Sequence, residues 1–128
     1  MVKVVIDSSV VIDYTRAGLG VLPHLLSLRK SKKMEIYMPA SVFLELWAGE
    51  SMADTSEEVK VERLLIPVKT ANLTKQIAKM AGELIRLGMV KGVMDSAIAA
   101  TTLYLDAQLA TQNKKHFSKV PNLRFFIS

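Results

Sequence analysis

At 128 residues, half of them hydrophobic, the chain is long enough to bury a core and too apolar to remain disordered. It has no cysteine for a disulfide or a thiolate zinc site, and no apolar run reaches the ~20 residues of a membrane span. Seventeen Lys and Arg against twelve Asp and Glu leave a formal charge of +5, which suits a polyanionic partner, either a nucleic acid or an acidic protein segment, and equally a mildly basic soluble protein with no such partner. No apolar signal segment opens the chain, so a soluble, cytoplasmic protein with no membrane association is expected.

Val2–Ile6 is a mostly β-branched run suited to a buried parallel strand. Asp7-Ser8-Ser9 stops it and offers N-cap side chains to a helix over Val10–Arg16, which Gly18 and Gly20 break. The spacing of Leu22, Leu25, Leu26 and Arg29 predicts a second helix over Val21–Lys32, with Pro23 in its first turn. The basic cluster Arg29 to Lys33 falls at its C-terminal end, where cations favour the helix dipole. Glu35–Met38 reads as a second strand stopped by Pro39, and Ser41 as the cap of a helix over Val42–Gly49. Asp54 to Glu58 joins capping residues to acids and opens a helix reaching Leu64.

Leu65–Val68 is the expected third strand, at an edge because Pro67 lacks a donor. Leu73, Ile77, Met80, Ala81, Leu84 and Ile85 give Thr70–Leu87 a helical period, and Gly88 and Gly92 bracket a turn after it. Asp95–Leu105 is a helix whose Ala97, Ala99 and Ala100 permit close packing on a sheet. Gln108–Thr111 is a fourth strand, Lys114–Phe117 a single helical turn and Leu123–Ile127 a last strand. Strands alternating with helices predict a three-layer α/β/α sandwich with a mainly parallel sheet, one domain over residues 1–128.

Three acids stand where an acid serves folding poorly. Asp7 ends the run Val4-Val5-Ile6, Glu45 lies within Val42–Trp47, and Asp95 opens an alanine-rich segment. A carboxylate at the edge of a core is costly to desolvate unless a cation or hydrogen-bond donors compensate it. Helix capping accounts for Asp7, Ser9 or Asp95 taken singly, a solvated helix face for Glu45, and a turn for Asn113. Their joint placement points to a shared divalent metal, because parallel sheets gather function at the carboxyl ends of their strands. Hard oxygen donors suit Mg2+ or Mn2+, which polarise a phosphate and acidify water.

Val4-Val5-Ile6-Asp7-Ser8-Ser9-Val10-Val11-Ile12-Asp13 resembles the opening motif of PIN domains, the nuclease fold of VapC-type toxins. Ser41–Gly49, Met94–Ala100 and Leu109–Phe117 resemble the second, third and fourth motifs in order, so the likeness spans nearly the whole chain. The resemblance implies a metal-dependent ribonuclease in which Asp7, Glu45 and Asp95 form the catalytic, metal-binding carboxylates, with Ser9 beside them. Thr111 orients the site through its hydroxyl. Asn113 stands where many relatives carry a fourth acid; its amide positions water but brings no charge. Arg16, Lys114 and Lys115 are the candidate RNA contacts.

The implied partners are an RNA substrate, an antitoxin entering the catalytic groove, and a second copy in a homodimer. Phe43, Trp47 and Met52 are candidates for an apolar antitoxin contact, with burial in the core as the competing use. A catalytically decayed PIN relative that binds nucleic acid or acts as a scaffold is the first rival. A phosphate-transfer protein with an Asp after its first strand is the second, weakened because Asp7-Ser8-Ser9 lacks a second acid two positions on.

Overall fold

The computed structural model describes residues 1–31 and 33–127. Five strands are found among them: β1 (Val2–Ile6), β2 (Met34–Pro39), β3 (Lys69–Ala71), β4 (Gln108–Ala110) and β5 (Arg124–Phe125). They form one sheet in the order β3-β2-β1-β4-β5, and every pairing is parallel. β1 is central, with Val5 opposite Tyr37 on one side and Leu109 on the other. Val4, Val5 and Ile6 are wholly buried, as a strand covered on both faces requires.

Six α-helices accompany the sheet among the described residues: α1 (Ser8–Ala17), α2 (Leu22–Lys30), α3 (Ala40–Trp47), α4 (Thr55–Leu64), α5 (Lys75–Arg86) and α6 (Val93–Tyr104). The β1-to-β2 and β2-to-β3 connections step one way along the sheet and the β3-to-β4 connection steps back, so the right-handed crossover rule assigns them to opposite faces. This is the expected three-layer sandwich. α2 packs on β2, while α6 lies across β1, β2 and β4 and is itself covered by α5. Every residue of α6 from Ser96 to Thr102 is buried, so its hydroxyls must be satisfied internally. Thr101 and Thr102 do this by donating to the carbonyls of Ala97 and Ile98 at 2.7 and 2.8 Å. No helix among the described residues is long and apolar enough to cross a membrane.

Several boundaries depart from expectation for local reasons. Leu65–Val68 is not a strand: Leu65 N–H donates to Val61 O at 3.0 Å and Val68 N–H to Leu65 O at 2.9 Å, which keeps the segment turning beyond α4. The edge strand comes after it, at Lys69–Ala71, paired with Tyr37–Pro39. Pro39 therefore ends β2 as a paired member rather than stopping it from outside. Ser41 does not cap α3; Pro39 holds that position without a side-chain bond, and the buried Ser41 Oγ has no partner. α5 starts at Lys75 because Thr74 caps it, its Oγ1 accepting from Ile77 N–H at 3.2 Å. α6 starts at Val93, which puts Asp95 inside the first turn rather than at its opening. Lys32, the expected end of the second helix, lies outside the described residues.

Candidate active site

The connections leaving β1 and entering β4 run over opposite faces, so a crevice opens past the carboxyl ends of these adjacent strands. Asp7 is the first residue beyond β1. Its extended backbone, φ −100° and ψ 178°, makes it the N-cap of α1, and its Oδ1 accepts from Ser9 N–H at 3.1 Å. The capping reading is thus correct as far as it goes. It leaves most of the carboxylate unexplained, because Asp7 is only 3% exposed whereas a capping acid works equally well in water.

Two hydroxyls complete its surroundings. Ser9 Oγ donates to Asp7 Oδ1 and Thr111 Oγ1 to Asp7 Oδ2, each at 2.5 Å. Ser9 Oγ in turn accepts from Gln112 N–H at 3.0 Å, and Thr111 Oγ1 from Asn113 N–H at 2.9 Å. Each hydroxyl oxygen is an acceptor toward the loop, which leaves its single proton for Asp7. The loop after β4 is therefore latched to the start of α1 through one carboxylate. Burial pushes the Asp7 carboxyl above its ordinary value; the hydrogen bonds from Ser9 and Thr111 pull it down without cancelling the burial. Hydroxyl and amide donors alone undercompensate this charge, and a cation placed against it would stabilise the ionised form.

Asp95 is half-buried on α6, and its Oδ2 lies 3.0 Å from His116 Nδ1 on the 3-10 turn Lys114–Phe117. Glu45 is exposed on α3 and has no hydrogen bond to Asp7 or Asp95. Among the described residues no three His, Cys, Asp or Glu side chains are grouped to hold a metal ion. The structure thus joins Asp7, Ser9 and Thr111 with the Asn113 backbone, pairs Asp95 with His116, and gives Glu45 no hydrogen bond to either acid. Mg2+ is usually held by one or two carboxylates and keeps several waters. The carboxylate oxygens here suit such an ion in chemistry, although they form no closed cage.

Of the expected RNA contacts, Lys115 lines a cavity of about 370 Å³ that reaches Asp95 and His116. Lys114 lines a neighbouring cavity of about 330 Å³, and its ammonium sits 5.9 Å from the Phe125 ring centre. Arg16 is exposed in the last turn of α1 and lines neither. Phe43, Trp47 and Met52 are partly buried against the core, and Trp47 Nε1 donates to Glu58 Oε2 at 2.8 Å. The apolar side chain that α3 does expose is Leu44, at 61%. From the sequence, Thr111-Gln112-Asn113 is expected at this edge after the fourth strand, and His116, a lone histidine before Phe117, reads as a structural residue or a phosphate contact. The available signal was spacing, since His116 follows Asn113 by one helical turn and its N–H donates to Asn113 O at 3.0 Å.

The profile of the PIN domain family matches residues 4–123. Ribonuclease VapC10 of Mycobacterium tuberculosis is 32% identical over 125 residues, covering 94% of this chain and 90% of its own. Ribonuclease VapC19 of the same organism is 32% identical over 123 residues, covering 93% and 95%. The structure of VapBC2 from Rickettsia felis, bound to a DNA fragment from its promoter, has the same fold, with a TM-score of 0.82, 22% identity and 97% of each chain covered. The chain belongs to the PIN domain family, among its VapC-type ribonucleases.

Proposed function

We propose that this chain is the toxin of a toxin–antitoxin pair, a cytoplasmic endoribonuclease that hydrolyses RNA phosphodiester bonds with Mg2+ or Mn2+ and works as a homodimer. The observation that carries the reading is Asp7: a buried carboxylate at the sheet's switch point, raised in pKa and wrapped by donors that leave its charge undercompensated. We assign Asp7, Asp95 and Glu45 to hold the ion, with waters filling its remaining positions. When bound, the ion would polarise the phosphate and ease deprotonation of water.

The chain's own contribution is orientation. Ser9 and Thr111 load both Asp7 oxygens and prevent the carboxylate from rotating away. Both hydroxyls are committed, donating to Asp7 and accepting from backbone N–H groups, so neither is free to act as a nucleophile. The reaction is then read as direct hydrolysis: the oxygen of water joins phosphorus as the opposite P–O bond breaks, water gives up a proton, and the departing oxygen takes one up. His116 fixes Asp95, and Lys115 sets positive charge beside it.

The test is incubation of the purified chain with total RNA in Mg2+ and in EDTA, with the ends mapped. Discrete cuts in Mg2+ that vanish in EDTA are expected; equal cutting in EDTA would refute the metal requirement. One observation favours the decayed, RNA-binding alternative: the absence of a grouped three-donor cluster among the described residues. RNA binding without cleavage in either Mg2+ or Mn2+ is the result that alternative requires.

A further inference from the structure

We propose that the cavity between the α5–α6 turn and the segment after β4 is a phosphate subsite, which grips the backbone of single-stranded RNA beyond the scissile bond through Lys91, Lys115 and Lys119. This rests on the ribonuclease reading and says where the strand runs. The cavity, about 370 Å³, has Asp95 and His116 on its wall. Lys91 reaches it from the turn before α6, and Lys115 and Lys119 from the other side.

Charge is the first argument. None of these three lysines forms an ion pair among the described residues. The one acid lining the cavity, Asp95, is already bonded to His116. Three cations around a concave surface raise the local concentration of anions far more than the same charges on a flat face.

Rigidity is the second. Gly88, at φ +73°, ends α5 in the left-handed region, and Met89 N–H reaches back to Leu84 O at 2.9 Å, a glycine-capped stop. Val90 is 3% exposed and anchors the turn, so Lys91 projects from a fixed support. Ser118 Oγ donates to Lys115 O at 3.1 Å, which holds the opposite wall. At the N-terminus of α6, Gly92 brings no side-chain cap, and the acid of the first turn, Asp95, is the one already bonded to His116. A phosphodiester matches this lining, and Asp95 on the wall joins the cavity to the carboxylates assigned to the ion.

The experiment measures binding of a labelled single-stranded RNA oligonucleotide to the full chain in EDTA, across a salt series, without cleavage. The double variant Lys91→Ala/Lys119→Ala should bind more weakly, and its log–log salt slope should be shallower by roughly 0.7 for each lost phosphate contact. The control Lys75→Ala/Lys79→Ala removes equal charge from exposed positions on α5 outside the cavity and should behave as wild type. An unchanged slope, an equal loss in the control, or no RNA binding by the wild type each overturns the subsite; an unchanged slope is also what a cavity reserved for an acidic protein segment would give. Cleavage by the wild type in Mg2+ is scored separately. Cleavage with an unaltered slope removes only the subsite, whereas a shifted slope without cleavage removes the ribonuclease reading and leaves a phosphate-binding groove.

Discussion

Asp7 combines two uses of one side chain. Its Oδ1 caps α1, and both oxygens take hydroxyl protons from residues that the loop after β4 holds in place. Burial raises its pKa, so the metal-free fold binds this proton more tightly than the unfolded chain. The sign follows: stability from this group is complete below the unfolded carboxylate value and is lost as pH rises through the raised folded one. In EDTA, the melting temperature of Asp7→Asn minus that of wild type should therefore increase with pH across that window; a flat difference would show that Asp7 is not destabilised by burial. Thr111→Val removes the donor to Oδ2 and strands the Asn113 N–H. It should cost ~1–3 kcal/mol in urea unfolding and cut activity or metal affinity by roughly 10–100-fold. Wild-type values for both would mean the latch is incidental.

The elements that the sequence displayed clearly are those whose residues answer to a single local demand. β1 is bounded as expected because a β-branched run meets a capping acid, and α4 because Asp54 accepts from Ser56 N–H at 2.9 Å. Where two demands compete, the boundary moved. Pro67 and Leu65 looked like strand residues, yet the turn continuing α4 claimed them and β3 formed from the blander Lys69–Ala71. The small residues of α6 behave as read: Ala99 and Ala100 are wholly buried against β1, β2 and β4. Ala99→Leu should therefore destabilise by ~1–3 kcal/mol through overpacking, a change read from the urea midpoint at constant slope. Trp47→Phe, which keeps the ring packing but breaks the bond to Glu58 between α3 and α4, should cost about 1 kcal/mol. No loss there would show that this bond contributes nothing to holding α4.

At the scale of the molecule, the alternation of strands and helices made the parallel sheet legible, and the sheet made Asp7 legible, because a residue just past a central strand has only one place to go. The rest of the site was hidden in contacts that no local pattern records. Ser9 meets Gln112 across 103 positions, and His116 meets Asp95 across 21, each through a loop whose path depends on the finished fold. Glu45 is the converse case: it sits among apolar neighbours in the sequence, and α3 leaves it exposed, open to water or to an ion. The basic groove at Lys91 and Lys119 combines two distant segments and was likewise invisible as a run of charge.

The central claim is that the Asp7 carboxylate is kept in a costly position for chemistry rather than for folding. The direct measurement is RNA cleavage in Mg2+ by wild type and Asp7→Asn, paired with their melting temperatures in EDTA at neutral pH. The account predicts cleavage reduced to background in a variant that melts at or above the wild-type temperature, since an amide can face Thr111 without a buried charge. Wild-type cleavage by Asp7→Asn would contradict it.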